Sequence, residues 1–174
     1  HMGYVSVAFL AYGAVAAQTV TFYLLGYVAA SLAIFGVMMA LSAASKSDVD
    51  RIDDYRGLLR AHPVLGAVLV TGLLSLAGIP LTAGFFGKLY VVLAGAQEGH
   101  WPVLLVLALS SVAGAWYYLR IVIAVCAAPT ADSRPVPTAA IPALSTALLA
   151  VLAGLIVVFG IWPAPVVTLV QALH

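Results

Sequence analysis

The sequence predicts an all-α polytopic membrane protein. It should have about four full transmembrane helices, a partial helix at the N-terminus, and one discontinuous helix at 63–97. Three observations carry this expectation. Apolar residues make up 64% of the chain and charged residues 7%, against about 25% charged in a soluble domain. So few charges cannot cover a water-facing surface, and long apolar runs of this kind fit a bilayer. Twelve of the thirteen charged residues sit in or near the joints between apolar runs. The exception is Lys88, which follows a helix-breaking Gly78-Ile79-Pro80 inside one of the most apolar stretches.

Each element follows in order. Residues 1–13 are apolar but about 18 Å long as helix, too short for a hydrocarbon core of about 30 Å. Met2, Val5 and Phe9 keep helical spacing from the first residue. The segment therefore reads as the end of a transmembrane helix in a longer protein, although His1-Met2 also has the form of a cloning scar. Residues 15–44 carry no charge and can span with tilt. Gly26/Ala30 and Ala29/Ala33, small residues four apart, mark close helix packing there.

Residues 45–62 hold Lys46, Asp48, Asp50, Arg51, Asp53, Asp54, Arg56 and Arg60. Ile52, Tyr55, Leu58 and Leu59 recur among them at helical spacing. The segment reads as a cytoplasmic amphipathic loop, either a short interfacial helix or a solvated connection. Residues 63–97 come next, then a polar turn at 97–100, a span at 101–128, a cytoplasmic connector at 129–137, and a last helix with its tail at 138–174. Pro142 falls in the first turns of that helix, where proline is tolerated. Lys and Arg alternate between joints: four in 45–62, none in 97–100, and Arg134 in 129–137 with Arg120 close by. The positive-inside rule then puts 45–62 and 129–137 in the cytoplasm, provided 63–97 crosses once. Thirty-five residues are too many for one straight span and too few for two, which need about 40. One broken helix satisfies both the length and the charge pattern. Irregular backbone at membrane depth requires protein or water around it, and broken helices recur in transporters.

Lys88 lies nine residues before Gln97, roughly 13 Å from the interface and close to the midplane. Snorkelling falls well short of that distance. A lysine there costs about 2.5–3.5 kcal/mol in lipid, so it must face protein or water. Burial disfavours its charged form and a nearby carboxylate favours it, so it can load and release a proton as its surroundings change. The plainer reading is a lysine that caps carbonyls freed by the break. No Asp or Glu occurs in any span, so a carboxylate partner must come from elsewhere. Thr71, Ser75 and Thr82 are candidates to order water near Lys88, and His1 and Tyr4 for another part of a proton path. A span serine or threonine more often bonds its own helix. Arg120 lies within snorkelling reach of its span's end, or marks a channel mouth with Tyr117-Tyr118-Leu119. The single cysteine, Cys126, excludes a disulfide framework and a cysteine metal site. A net charge of +1 gives no basis for nucleic-acid binding. No motif binds a nucleotide, haem or iron–sulfur cluster.

Ser75–Tyr90, SLAGIPLTAGFFGKLY, resembles the broken-helix motif of the antiporter-like subunits of respiratory complex I. Asp54-Tyr55-Arg56-Gly57-Leu58, Tyr117-Tyr118-Leu119-Arg120 and His1-Met2-Gly3-Tyr4 resemble the N-type branch of that family. The resemblance covers nearly the whole chain. It implies fourteen transmembrane helices in two inverted repeats, of which this chain supplies the end of the tenth and the last four. It puts Lys88 on the ionisable position of helix twelve, where the M-type has glutamate and the L-type a lysine followed by acidic residues. The 16–44 span lacks the buried lysine of the L- and M-types.

The implied function is proton translocation coupled to quinone reduction elsewhere in an NADH:quinone oxidoreductase. This chain would bind no cofactor, and partner subunits would handle quinone and NADH. Its partners would be other membrane subunits, especially neighbouring antiporter-like ones, in an energy-transducing membrane such as the bacterial inner membrane. The alternatives are a multi-subunit Na⁺/H⁺ antiporter, a related membrane hydrogenase, and a purely structural membrane subunit.

Overall fold

The computed structural model describes residues 1–8, 14–45, 49–97, 99–130, 136, 141–164 and 168. All regular elements among them are helical: α1 (Met2–Ala8), α2 (Ala14–Ser45), α3 (Leu58–Ala61), α4 (Pro63–Ala77), α5 (Ala83–Gln97), α6 (Trp101–Cys126) and α7 (Ala143–Ile161), with a 3₁₀ turn at Ile52–Tyr55. Helices α2, α6 and α7 are long and apolar enough to cross a membrane, and α4 is a shorter apolar helix. The protein is a multi-pass membrane protein of the all-α class.

The path of α4 and α5 is read from what they touch on α2. Gly72 lies against Ala30 and Ile34, Ala83 against Gly26, and Gly87 against Tyr23. Farther on, Tyr90 packs edge-on against Phe22. The contacts descend α2 in order without turning back, so the two short helices run antiparallel to it as one interrupted rod. Helix α2, at 32 residues, is about 48 Å long and spans both halves.

Two larger apolar cores result, beside a small cluster of Phe22 with Phe86, Tyr90 and Phe159. One joins Ala30, Ala33, Val37 and Leu41 of α2 to Leu65, Val68, Leu69 and Leu73 of α4, with Val125 of α6 and Ala153 and Ile156 of α7. The other joins Tyr4, Val7 and Ala8 of α1 to Val20 and Tyr23 of α2, Val91 of α5, and Leu104 and Leu107 of α6. The spacings of three and four within each helix are those of a single buried face. Gly26 and Ala30, read as packing positions, meet the start of α5 and the middle of α4.

The packing bears on two expectations. Residues 49–62, read as an amphipathic loop, turn their apolar side to the bundle and leave Asp50, Arg51, Asp53 and Arg60 exposed. The 3₁₀ turn and α3 fold inward, and Tyr55 and Leu58 join the first core. The Tyr55 hydroxyl donates to the Val49 carbonyl at 2.9 Å. Burial, with Asp54 and Asp50 adding to it, pushes the Tyr55 phenol up to about 12. Gly57 N–H donates to the Ala127 carbonyl at 2.9 Å, tying this segment to the end of α6. The three-residue spacing of apolar groups serves a tertiary contact here. The one revision concerns Pro142, which stands before α7 rather than within it. Lys46, Asp48, Glu98, Asp132 and Arg134 lie outside the described residues.

The break is pressed against α7. A Cβ on Gly160 would collide with the backbone of Leu81 and Thr82. Neither backbone can rotate away as a side chain can. Gly160→Ala in the full-length subunit should therefore cost about 1–3 kcal/mol of stability, as overpacking does. Thermal unfolding in detergent tests it, with Gly154→Ala, whose Cβ meets nothing within 4 Å, as the neutral comparison.

Candidate functional site

The break begins where glycine permits it. Gly78 has φ 81, a left-handed conformation that closes α4. Its N–H donates to the Leu74 and Ser75 carbonyls, and the Ile79 N–H reaches back to Leu74 at 3.0 Å. This is the Schellman pattern, and Pro80 then prevents the helix from resuming. Leu81 also takes a left-handed φ of 76, uncommon outside glycine and held here by the contact with α7.

Ser75 and Thr82 belong to this break. Ser75 is 1% exposed, and its hydroxyl accepts the Gly84 N–H at 3.1 Å, so the last turn of α4 caps the first turn of α5. The Thr82 hydroxyl donates to the Ile79 carbonyl at 2.7 Å. Neither residue lines the cavity at Lys88.

Lys88, one turn into α5, points back across the gap. Its ammonium donates to the Leu76 and Ala77 carbonyls at 2.9 Å each and to Ser111 Oγ of α6 at 3.0 Å. The two carbonyls are among those that α4 leaves without an intrahelical partner. A cation on them also meets the negative end of the helix dipole, equivalent to about half a charge. The Tyr4 ring lies 5.6 Å away and adds a weaker attraction. All three hydrogens of the ammonium thus have acceptors with no carboxylate involved. Among the described residues, no Asp or Glu lies on any of the long helices.

Beside the lysine is a cavity of about 180 Å³, lined by His1, Tyr4, Leu76, Lys88, Ser110, Ser111, Gly114 and Tyr118. Across it from Lys88, His1 shares hydrogen bonds with two hydroxyls, Nδ1 with Tyr23 at 2.7 Å and Nε2 with Tyr118 at 3.2 Å. The Tyr4 hydroxyl donates to the Leu107 carbonyl at 3.1 Å. His1, Tyr4, Lys88, Ser110, Ser111 and Tyr118 bring polar groups to the cavity, which is large enough for water. Three sequence candidates, Lys88, His1 and Tyr4, meet here. Ser111, Gly114 and Tyr118 of α6 were not singled out as site residues. The signal for them was a Ser110-Ser111 pair in mid-span with Gly114 and Tyr118 following on one helical face, but sequence alone does not say which neighbour that face meets.

The described residues thus form a multi-pass bundle in which a helix breaks beside a half-buried lysine and a small cavity. Residues 1–114 match the family described as NADH:quinone oxidoreductase/Mrp antiporter, transmembrane, and the chain belongs to that family. It is also similar to a chain in a structure of respiratory complex I from Thermus thermophilus with bound aureothin. The identity is 32%, the TM-score is 0.81, and the match covers 95% of this chain. This chain spans 36% of the length of that one.

The site predicts a difference between neighbouring serines. Ser110 donates to the Leu107 carbonyl of its own helix, whereas Ser111 accepts from Lys88. Hydrogen bonds to charged groups contribute about 1.5–3 kcal/mol. Ser111→Ala should lower the unfolding temperature of the full-length subunit clearly more than Ser110→Ala. Equal shifts would remove Ser111 from the lysine's support.

Proposed function

We propose that this chain is part of an N-type antiporter-like subunit of a proton-translocating NADH:quinone oxidoreductase, and that Lys88 holds and releases a proton in its transport path. The observation that carries the reading is the seat of the Lys88 ammonium. It rests on two helix-end carbonyls and a serine hydroxyl at the edge of a polar cavity, not on a carboxylate. Such a seat gives the ammonium hydrogen-bond acceptors without a counter-charge, and half a helix dipole holds a cation less firmly than a carboxylate would.

Loss of a proton from Nζ leaves a lone pair facing Ser111. The serine hydroxyl then turns from accepting to donating, and its other side faces the cavity. A proton is thereby handed between Nζ and cavity water without either group moving far. His1, with one ring nitrogen protonated and the other free in its neutral form, is suited to continue the path between Tyr118 and Tyr23. Each transfer conserves one proton and needs no cofactor in this chain. Quinone and NADH would be handled by other subunits, in an energy-transducing membrane such as the bacterial inner membrane. The arginine-bearing end, with Arg51, Arg56, Arg60 and Arg120, would face the cytoplasm. The similarity to a complex I chain favours this reading over an Na⁺/H⁺ antiporter within the same family.

The test is made in the assembled complex. Lys88→Ala should lower the protons pumped per quinone reduced, or lower coupled turnover, by tenfold or more, the effect of about 1.4 kcal/mol or more on the limiting step. Lys88→Arg should be similarly impaired, because arginine keeps its proton near neutral pH. Normal pumping by Lys88→Ala in a fully assembled complex would overturn the proposal.

A further inference from the structure

A second cavity, of about 320 Å³, lies toward the arginine-bearing end of α6, beginning five residues past Ser111. It is lined by Ile52, Asp53 and Arg56 from the folded loop and by Trp116, Leu119, Arg120, Ile123 and Ala124 from α6. Its charges are two guanidiniums and one carboxylate. The carboxylate is already engaged, since Arg56 Nε donates to Asp53 Oδ1 at 2.9 Å. That bond, with the charges of Arg56, Arg51 and Arg120, holds the Asp53 carboxyl below its usual range. Arg56 keeps its terminal nitrogens for another acceptor, and among the described residues Arg120 makes no hydrogen bond. The described residues that line the cavity therefore carry one net positive charge.

The position of Arg120 makes this charge unusual. Helix α6 continues six residues past it to Cys126, so its Cα lies about 9 Å inside the helix end. It shares a face with Trp116, Val112 and Leu109, which are 77%, 70% and 64% exposed. A guanidinium at the head of an apolar stripe reaches the depth of the headgroups, where lipid phosphates are the anions at hand. From Arg120 to Leu109 is eleven residues, about 16 Å, close to the hydrocarbon depth of one leaflet.

From this geometry we infer a binding site for an anionic phospholipid. Its phosphate sits between Arg56 and Arg120, and an acyl chain lies along Trp116, Val112 and Leu109. A phosphodiester carries one negative charge and matches the cavity's surplus. The guanidinium forks suit its paired oxygens, and the indole suits the interfacial level of the membrane. The site is independent of the proton path and stands whether or not Lys88 carries protons.

The test uses the complete complex in nanodiscs of phosphatidylcholine and phosphatidylglycerol, with the photoreactive residue benzoylphenylalanine in place of Trp116. Illumination should yield a lipid adduct enriched in phosphatidylglycerol over its share of the membrane. Arg56→Gln and Arg120→Gln should each reduce that enrichment about fivefold, the effect of one arginine at a charged membrane surface. Arg60→Gln, at the same end but outside the cavity, should leave it unchanged. Native mass spectrometry of the complex with Trp116 intact should likewise show one fewer retained phosphatidylglycerol in the double variant Arg56→Gln/Arg120→Gln. An adduct to a protein segment would show that another helix covers the stripe and would overturn the proposal. So would an enrichment that survives both arginine substitutions.

Discussion

A helix interrupted inside a membrane has to satisfy its free backbone groups without bulk water. Much of this structure answers that constraint. At the end of α4 the orphan carbonyls are met by the left-handed turn at Gly78 and by the Lys88 ammonium. At the start of α5 the Gly84 N–H finds the Ser75 hydroxyl. Each half-helix supplies a group that completes the other. The lysine is therefore a structural cap and a protonatable group at once. Of the two readings set against each other in the sequence, the capping one is met directly by this contact.

The surrounding helices make such a contact tolerable. Helix α2 runs past both halves and packs a separate apolar core against each. Gly160 lets α7 close over the break, and α6 brings Ser111 to the lysine. The irregular turn thus sits at the waist between two well-packed regions. Polar groups collect at that waist because the apolar faces end there. The cavity beside Lys88 lies between elements that are far apart in sequence: residue 1, residue 88 and residues 110–118.

Charge is arranged differently at the arginine-bearing end. The folded loop after α2 returns against the end of α6 through Gly57 and Ala127, which brings Arg56 and Asp53 beside Arg120. A guanidinium that the sequence places within snorkelling reach is given a shaped recess, not merely a path to water.

Several features were legible in the sequence because they depend on composition and count. The bilayer environment follows from 64% apolar residues, and the family from motifs along the chain. A single interrupted rod follows from 35 residues, a Gly-Ile-Pro and the absence of basic residues in the next turn. Local chemistry suffices for each. What touches Lys88 was not legible. The sequence asked for a carboxylate, and within this chain the lysine is met by two carbonyls and Ser111. Ser75 and Thr82 were close in sequence but are engaged by the break itself. Residues 49–62 read as amphipathic, yet their apolar side faces protein. In each case the partner is set by which helix faces which. That choice depends on contacts between residues tens of positions apart, and a one-dimensional pattern of polar and apolar residues looks the same whether its apolar side meets lipid or another helix.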